Sequence, residues 1–576
     1  MTEHGGVYKH GFMFIRKSAS KRNGRVHETY QIVESYRDEN KKTKQRILLH
    51  LGPADKFLKQ DIDSLLNGLL KAKGMNLSEL GGEFDSTKSF GQIWALLHLW
   101  NELKISQTIA KEKEKTNIQF DLDTHMKSLI FNRIDDPCSK LKLLTWLETV
   151  HIPRLETNSI RYEHLLRTMD FIISHKKKIE DRIAYRFMSI FDTDIKLCFY
   201  DITSTYFEAD SSLVEGDIRQ KGYTRDHRAD REQIVIGVVM TQDNIPIAHY
   251  TFSGNTADRS TVQEVVSDIK KRFRVESVTL VADKGMVSGK NLKFLLDNGE
   301  DFILGESVRQ TVTAREVIVE AASERRNKAP VSKSYVYESN KEKIINFEIE
   351  VDGKIKKKKV RKYLRYVACY NGDVALKKYS TRMKNVVSCL DEIEIIENKN
   401  ISVSDKYFQV KSYLAKKHLT RFFEVEIENQ EIKIRKNEES LKQEETSDGW
   451  FLIITSKSDV NKEKIVEKYK DLKYVEHGFF ELKHSLELRP NYHWTRQRIL
   501  AHVMICFMAF QLSVLFEKRL ESIKLSWEKA VEKLRQISVI EWTAGNRKRN
   551  GLVKCHEDQL NIFNLIGCSK PTLKSL

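Results

Sequence analysis

Cysteine is scarce in this 576-residue chain, and what there is does not cluster: Cys138, Cys198, Cys369, Cys389, Cys506, Cys555 and Cys568 include no C-x2-C pair. That spacing argues against a zinc finger and against a disulfide framework, and it fits a reducing cytoplasm. The opening residues, MTEHGGVYKHGFMFIRKSASKR, hold no apolar stretch followed by a small-residue cleavage site, so no secretion signal is read there. A G-x4-G-K-[ST] phosphate loop, a G-x-S-x-G elbow and an H-E-x-x-H helix are also missing, which leaves nucleotide hydrolysis, acyl transfer and zinc proteolysis without their machinery. None of the 17 histidines stands at a defensible ligand spacing. Long apolar runs are reduced to one, ILAHVMICFMAFQLSVLF at residues 499–516, interrupted by His502, Gln511 and Ser513. Alone in an otherwise charged chain, it predicts a helix buried in the protein and no membrane span. Internal repeats and low-complexity blocks are lacking as well.

What is present is length and positive charge. A chain this long exceeds one ordinary core, so about two to four structural units are expected, several able to bury a stable interior. The 98 Lys+Arg against 81 Asp+Glu leave a net charge of +17, which suits a polyanionic partner through phosphate neutralisation and counterion release. Charge alone does not choose between DNA, RNA and a membrane surface.

The pattern changes character along the chain. Residues 1–57 alternate basic and apolar positions (FMFIRKSASKRNGRVHETYQIVESYR), predicting a small basic stranded unit suited to DNA contact. Residues 58–190 shift to helical spacing, as in FGQIWALLHLWNELK, predicting a helical domain with a DNA-binding role. Within 191–306, three strand-like runs (IKLCFYDITSTYF, QIVIGVVMT, IPIAHYTF) precede a helix-strand-helix-strand alternation ending in DFILGE. This α/β order with a mixed sheet is that expected of an RNase H-like core. Residues 307–449 read as a β-rich basic insertion that includes KIKKKKVRKYLR at 354–365. The strand WFLIITS and two long helices, over about 462–486 and 494–520, then complete the core in 450–520, and 521–576 form a helical tail.

Two aspartates sit where apolar strands should exclude them. Asp201 lies between LCFY and ITSTYF, and burying an ionised carboxylate there costs several kcal/mol unless a cation or hydrogen bonds compensate. Asp283 ends VTLVA just before the turn-forming KG, at the strand edge that commonly carries function in α/β sheets. Acids on neighbouring strands suit a shared hard divalent cation. A third acid emerges from helical periodicity, since Ile465, Tyr469, Leu472, Glu476, Phe479, Lys483 and Leu486 form one stripe. Glu476 and Lys483 interrupt this inward face, as expected where it borders a wet, charged site. Gly478 counts mildly against the helix, by about 1 kcal/mol relative to alanine. Taken singly, each residue has an ordinary reading: a solvated turn acid, a surface Glu-Lys pair, a solvated basic run. Together they form an ordered set.

That set resembles the bacterial insertion-sequence transposases with a DDE catalytic domain, in the branch marked by a Y-x2-R-x3-E-x6-K signature. The matching segments are YDITS at 200–204, ADKG at 282–285 and the helix YKDLKYVEHGFFELK at 469–483, where Leu472 stands in place of the signature arginine. GYTRDHRADREQ (222–233), SGNTAD (253–258) and LRPNYHW (488–494) resemble one sub-branch of the same family. The resemblance implies that Asp201, Asp283 and Glu476 hold two Mg2+ ions, with Mn2+ able to substitute, for in-line phosphoryl transfer on double-stranded DNA. It implies phosphate contacts from Tyr469 and Lys483, binding of terminal inverted repeats and target DNA, and a homodimer on DNA. Trp450 stands where some relatives hold an aromatic against a flipped base; a core tryptophan is the leading reading there. Glu306, at the end of DFILGE, is a rival acid without helix context. The competing functions are a DNA endonuclease without strand transfer and an inactive, transposase-derived DNA-binding protein.

Overall fold

The computed structural model describes residues 12–22, 25–37, 43–53, 83–153, 155, 160–208, 216–226, 228–328, 333–351, 354–544 and 547–573. Strands β1 (Phe12–Arg22), β2 (Arg25–Arg37) and β3 (Thr43–Pro53) pair antiparallel into a small sheet of their own. The helical pattern expected from residue 58 to 82 lies outside the described residues. After β4 (Glu83–Ser89) come six helices, α1 (Gly91–Glu102), α2 (Ile105–Lys113), α3 (Leu122–Asp135), α4 (Lys142–Leu147), α5 (Tyr162–Ser174) and α6 (Lys176–Phe191).

The central sheet begins with the meander β5 (Leu197–Tyr206), β6 (Gln233–Thr241) and β7 (Pro246–Ser253). Helix α7 (Asp258–Phe273), β8 (Thr279–Ala282), α8 (Gly289–Asp297) and β9 (Asp301–Glu306) follow, with β8 parallel to both β5 and β9. All nine residues of β6 are buried, as a near-continuous apolar strand must be when both sheet faces are covered. Gly237 on β6 makes room for a neighbour: a Cβ there would stand 2.8 Å from the Tyr200 ring, whose hydroxyl donates to Thr261 Oγ1 at 2.7 Å and so ties β5 to α7.

The next segment contains α9 (Val312–Lys328), the long strands β10 (Tyr335–Val351) and β11 (Lys354–Tyr370), α10 (Gly372–Glu397), α11 (Val403–Lys416), β12 (Phe423–Glu428), β13 (Glu431–Lys436) and α12 (Glu438–Ser447). β14 (Trp450–Thr455) returns to the sheet between β11 and β9, giving the eight-stranded order β10-β11-β14-β9-β8-β5-β6-β7. The segment expected to be a β-rich insertion, 307–449, combines the long β10–β11 hairpin and the β12–β13 pair with four helices. Val386, Cys389, Ile393 and Ile396 on α10, with Val410 and Leu414 on α11, recur at helical spacing and bury a separate small core with Phe422, Phe423 and Val425. The dense charge around these residues obscures that period.

Helices α13 (Lys462–Lys470) and α14 (Lys473–Phe480) replace the single helix expected over 462–486. The chain breaks at Asp471 and Leu472, and Glu481–Ser485 winds as a π-helical turn closed by Leu486 N–H to Glu481 O at 2.9 Å. Then come α15 (Arg496–Leu520), α16 (Trp527–Arg535), β15 (Ser538–Ala544), β16 (Arg547–Leu552) and α17 (Glu557–Leu565). The tail is therefore mixed instead of helical: β15 pairs with β16 and with the distant β4, a long-range partnership invisible to local pattern.

Helix α15 contains the apolar run. It belongs to the stretch Arg496–Ile523, which is long and apolar enough to cross a membrane yet lies almost wholly inside the fold. Its polar interruptions find internal partners: His502 Nδ1 meets Lys140 Nζ at 2.9 Å, Gln511 Nε2 donates to Pro246 O at 3.0 Å, and Ser513 Oγ donates to Phe510 O at 2.9 Å. A second tie is ionic. Arg272 on α7, its side chain almost fully buried, donates to Glu180 at 3.0 Å and Asp181 at 2.6 Å on α6, fixing the helical domain to the sheet.

Gly478 has its reason in this packing. A Cβ on it would stand 2.7 Å from Phe510 Cζ, so the Phe510 ring of α15 seats directly on α14. Gly478→Ala is expected to lower the melting temperature, because overpacking costs of about 1–3 kcal/mol outweigh a propensity gain of about 1 kcal/mol. Pairing it with Phe510→Leu should recover much of the loss. An unchanged or raised melting temperature for Gly478→Ala would contradict this seating.

Candidate active site

The register of β5 and β8 sets the first two acids side by side. Their last parallel pair is Phe199 with Val281, so Asp201 and Asp283 each follow two residues later. Asp201 accepts the Ile202 N–H at 2.8 Å. Burial pushes its carboxyl up to about 7, and the Asp283 and Glu476 carboxylates add repulsion while Arg225 offsets part of it. Asp283 caps the single 3-10 turn Lys284–Met286, accepting Gly285 N–H at 2.7 Å. Glu476 projects exposed from α14, the helix that Phe510 seats against β5 and β6. Asp201, Asp283, Glu476 and Tyr469 thus lie within electrostatic reach of one another. Among the described residues, none of the three carboxylates has an ion-pair partner.

Tyr469 rests its hydroxyl on Gly305 of β9, where a Cβ would come within contact of the oxygen, and its ring stacks on Phe451 at 5.9 Å. Burial pushes the phenol up to about 12, reinforced by the three acids. Lys483 lies within the π turn. Its ammonium pairs with Asp226 at 3.0 Å, and Arg489 pairs with the same carboxylate at 3.0 Å. Arg225 pairs with Asp258 at 2.5 Å, and the guanidinium groups of Arg489 and Arg228 lie over the Tyr206 ring at 5.5 and 5.1 Å. A girdle of alternating charge therefore borders the acids.

Other expected residues fall elsewhere. Trp450 is only 5% exposed, tilted against Tyr370 at a centroid distance of 5.2 Å, so its faces are spent on packing and not on a base. Leu472 is buried at the break between α13 and α14, in the main core. The rival acid Glu306 is neutralised by Lys343 at 2.6 Å in a buried pair. Arg225, Asp226, Asp258 and Arg489 were not singled out from sequence, although all four lie in the quoted segments GYTRDHRADREQ, SGNTAD and LRPNYHW.

The donor chemistry fits a hard divalent cation: three carboxylates, one strongly desolvated and only partly offset by Arg225, with no ion-pair partner among the described residues. Among the described residues, no group of three or more His, Cys, Asp or Glu stands gathered closely enough to hold a metal ion by itself. Mg2+ sites in phosphoryl transfer rarely need such a group, because the ion keeps several waters and takes substrate oxygens beside one or two carboxylates.

Comparison with known families places the chain. Residues 15–79 match the family described as IS1634 family transposase, N-terminal domain. Residues 192–512, more than half of the chain, match the transposase DDE domain. The chain belongs to the DDE transposases. With both matches together, it is an insertion-sequence transposase. No curated protein matches it.

The π turn that contains Lys483 holds one more acid out of water. Glu481 is buried beside a cavity of about 490 Å3, with His477 Nε2 3.1 Å from Oε1 and the Trp527 indole near the carboxyl. Burial pushes this carboxyl up to about 8, and Glu517 and Glu528 add repulsion. Its folded value lies above the ordinary 4.5, so the folded chain holds this proton more tightly than the unfolded one. The associated stability is complete below pH 4.5 and declines as pH rises towards 8. In denaturant titrations over this range, Glu481→Gln should show a flatter pH dependence than wild type and be the more stable at pH about 8.5. Parallel curves for the two proteins would refute the buried, neutral Glu481.

Proposed function

We propose that this transposase cuts DNA at the terminal inverted repeats of its insertion sequence and joins the freed ends to a target by two-metal phosphoryl transfer. The observation that carries this reading is the trio Asp201, Asp283 and Glu476, without ion-pair partners among the described residues, contributed by the middle of β5, the residue just after β8 and a helix. These residues would hold two Mg2+ ions, with Mn2+ able to substitute. When bound, the ions supply charge that activates the attacking oxygen and stabilises the leaving one. The carboxylates offer oxygen donors on the side where Glu476 is open to solvent, so a phosphodiester can approach without a buried passage. Tyr469 presents a neutral hydroxyl as hydrogen-bond donor to a phosphate oxygen. Lys483 presents an ammonium held in place by Asp226. Joining two element ends calls for a dimer on DNA.

A fragment ending in the element's inverted repeats, incubated with the purified chain and Mg2+, tests the reading. End-specific nicking followed by strand joining is expected. Cutting without joining would favour an endonuclease, and binding alone a DNA-binding derivative. Asp201→Asn, Asp283→Asn and Glu476→Gln should each lower the cleavage rate by about 100-fold or more while leaving DNA affinity within about threefold, since loss of metal-held charge costs several kcal/mol at the transition state. A variant that cut at near wild-type rate would remove that residue from the site.

A further inference from the structure

Resting on the transposase reading, we infer that the β10–β11 hairpin and the start of α8 form a backbone track for duplex DNA leading away from the acids. Only Arg365 to Tyr370 of β11 pair with β14, so the remainder of the two 17-residue strands extends past the sheet as an arm. An isolated two-stranded ribbon is marginal in water. This one is braced: Ile345 is buried, Lys293 of α8 lies over the Phe347 ring at 5.1 Å, and a Cβ on Gly289 would stand 1.6 Å from Asn346 O. Backbone therefore touches backbone at Gly289, and the arm is fixed against the helix.

Between the arm and the helices lies a cleft of about 730 Å3, bordered by Arg259, Lys290, Lys357 and Lys359, with Glu348 as its single acid. All four cations are exposed, and none makes an ion pair among the described residues. Elsewhere in this chain arginines are commonly spoken for, as Arg225 is by Asp258 and Arg272 by Glu180. Lys357 and Lys359 stand opposite Glu348 and Asn346 in the hairpin register and so share one face. The cleft adjoins the reaction centre. Asp258, the residue before Arg259, and Asp283 both approach Gly285, where a Cβ would stand 3.2 and 2.9 Å from their respective carboxylate oxygens. Cations without ion pairs, two on a rigid arm and two on the helices beside it, continuous with phosphoryl-transfer acids, match the phosphate repeat of a duplex and carry no base-reading chemistry.

The test is salt-dependent binding of the full chain to fluorescent duplexes of about 30 base pairs, of unrelated sequence. Lys290→Gln/Lys357→Gln/Lys359→Gln should reduce the slope of log affinity against log salt by about 2 to 3, at about 0.9 per lost phosphate contact. Affinity at low salt should fall by about tenfold or more, equally for every sequence. A charge-matched variant, Lys377→Gln/Lys378→Gln/Lys384→Gln on exposed α10, should keep the wild-type slope. An unchanged slope in the cleft variant, an equal loss in the α10 variant, or a loss confined to one sequence would each overturn the track. Failure of the wild type to bind any duplex would instead overturn the transposase reading together with it.

Discussion

Placing a carboxylate inside a hydrogen-bonded sheet removes it from water, and the rest of this protein's centre answers to that cost. Asp201 sits mid-strand in β5, its carboxylate accepting the N–H of the next residue as its one side-chain hydrogen bond among the described residues, and Asp283 follows the end of the adjacent strand at the same level. In most cores such an acid would recruit a lysine or arginine, as Glu306 recruits Lys343 and Glu180 recruits Arg272. Here the nearby cations are engaged by other acids: Arg225 by Asp258, and Lys483 and Arg489 by Asp226. The girdle keeps positive charge close but off the triad, which leaves the carboxylate oxygens without an ion pair among the described residues.

Rigid surroundings make that arrangement sustainable. The buried Arg272 cluster locks the helical domain to α7, whose Thr261 in turn receives the Tyr200 hydroxyl one residue before Asp201. From the other side, α15 presses Phe510 onto Gly478 and fixes the helix that bears Glu476. The acids are thus held by elements whose own packing is apolar and dense, with little freedom to relax towards a neutralising partner.

Much of this is legible in the sequence because charged residues break a pattern. Asp201 and Asp283 interrupt apolar strands, and Glu476 and Lys483 interrupt an apolar helical stripe, so each announces itself as a local contradiction. Asp226, Arg225 and Arg489 contradict nothing, being charged residues in polar loops, and only three-dimensional pairing reveals them. The helices of the insertion were masked by surrounding charge, and the β4–β15 pairing depends on partners some 450 residues apart. The break at Leu472 and the π turn at Glu481 carry no local signature either, although Lys483, which pairs with Asp226, lies within that turn.

Metal binding reaches the heart of this account without requiring turnover. Mn2+ titrated into the chain in the presence of duplex DNA, followed by loss of the free-ion electron paramagnetic resonance signal, should show bound ion in the wild type. Asp201→Asn/Asp283→Asn should abolish most of that binding while the chain stays folded and bound to DNA. Undiminished Mn2+ binding by the double variant would contradict the assignment of these carboxylates as the metal-holding centre.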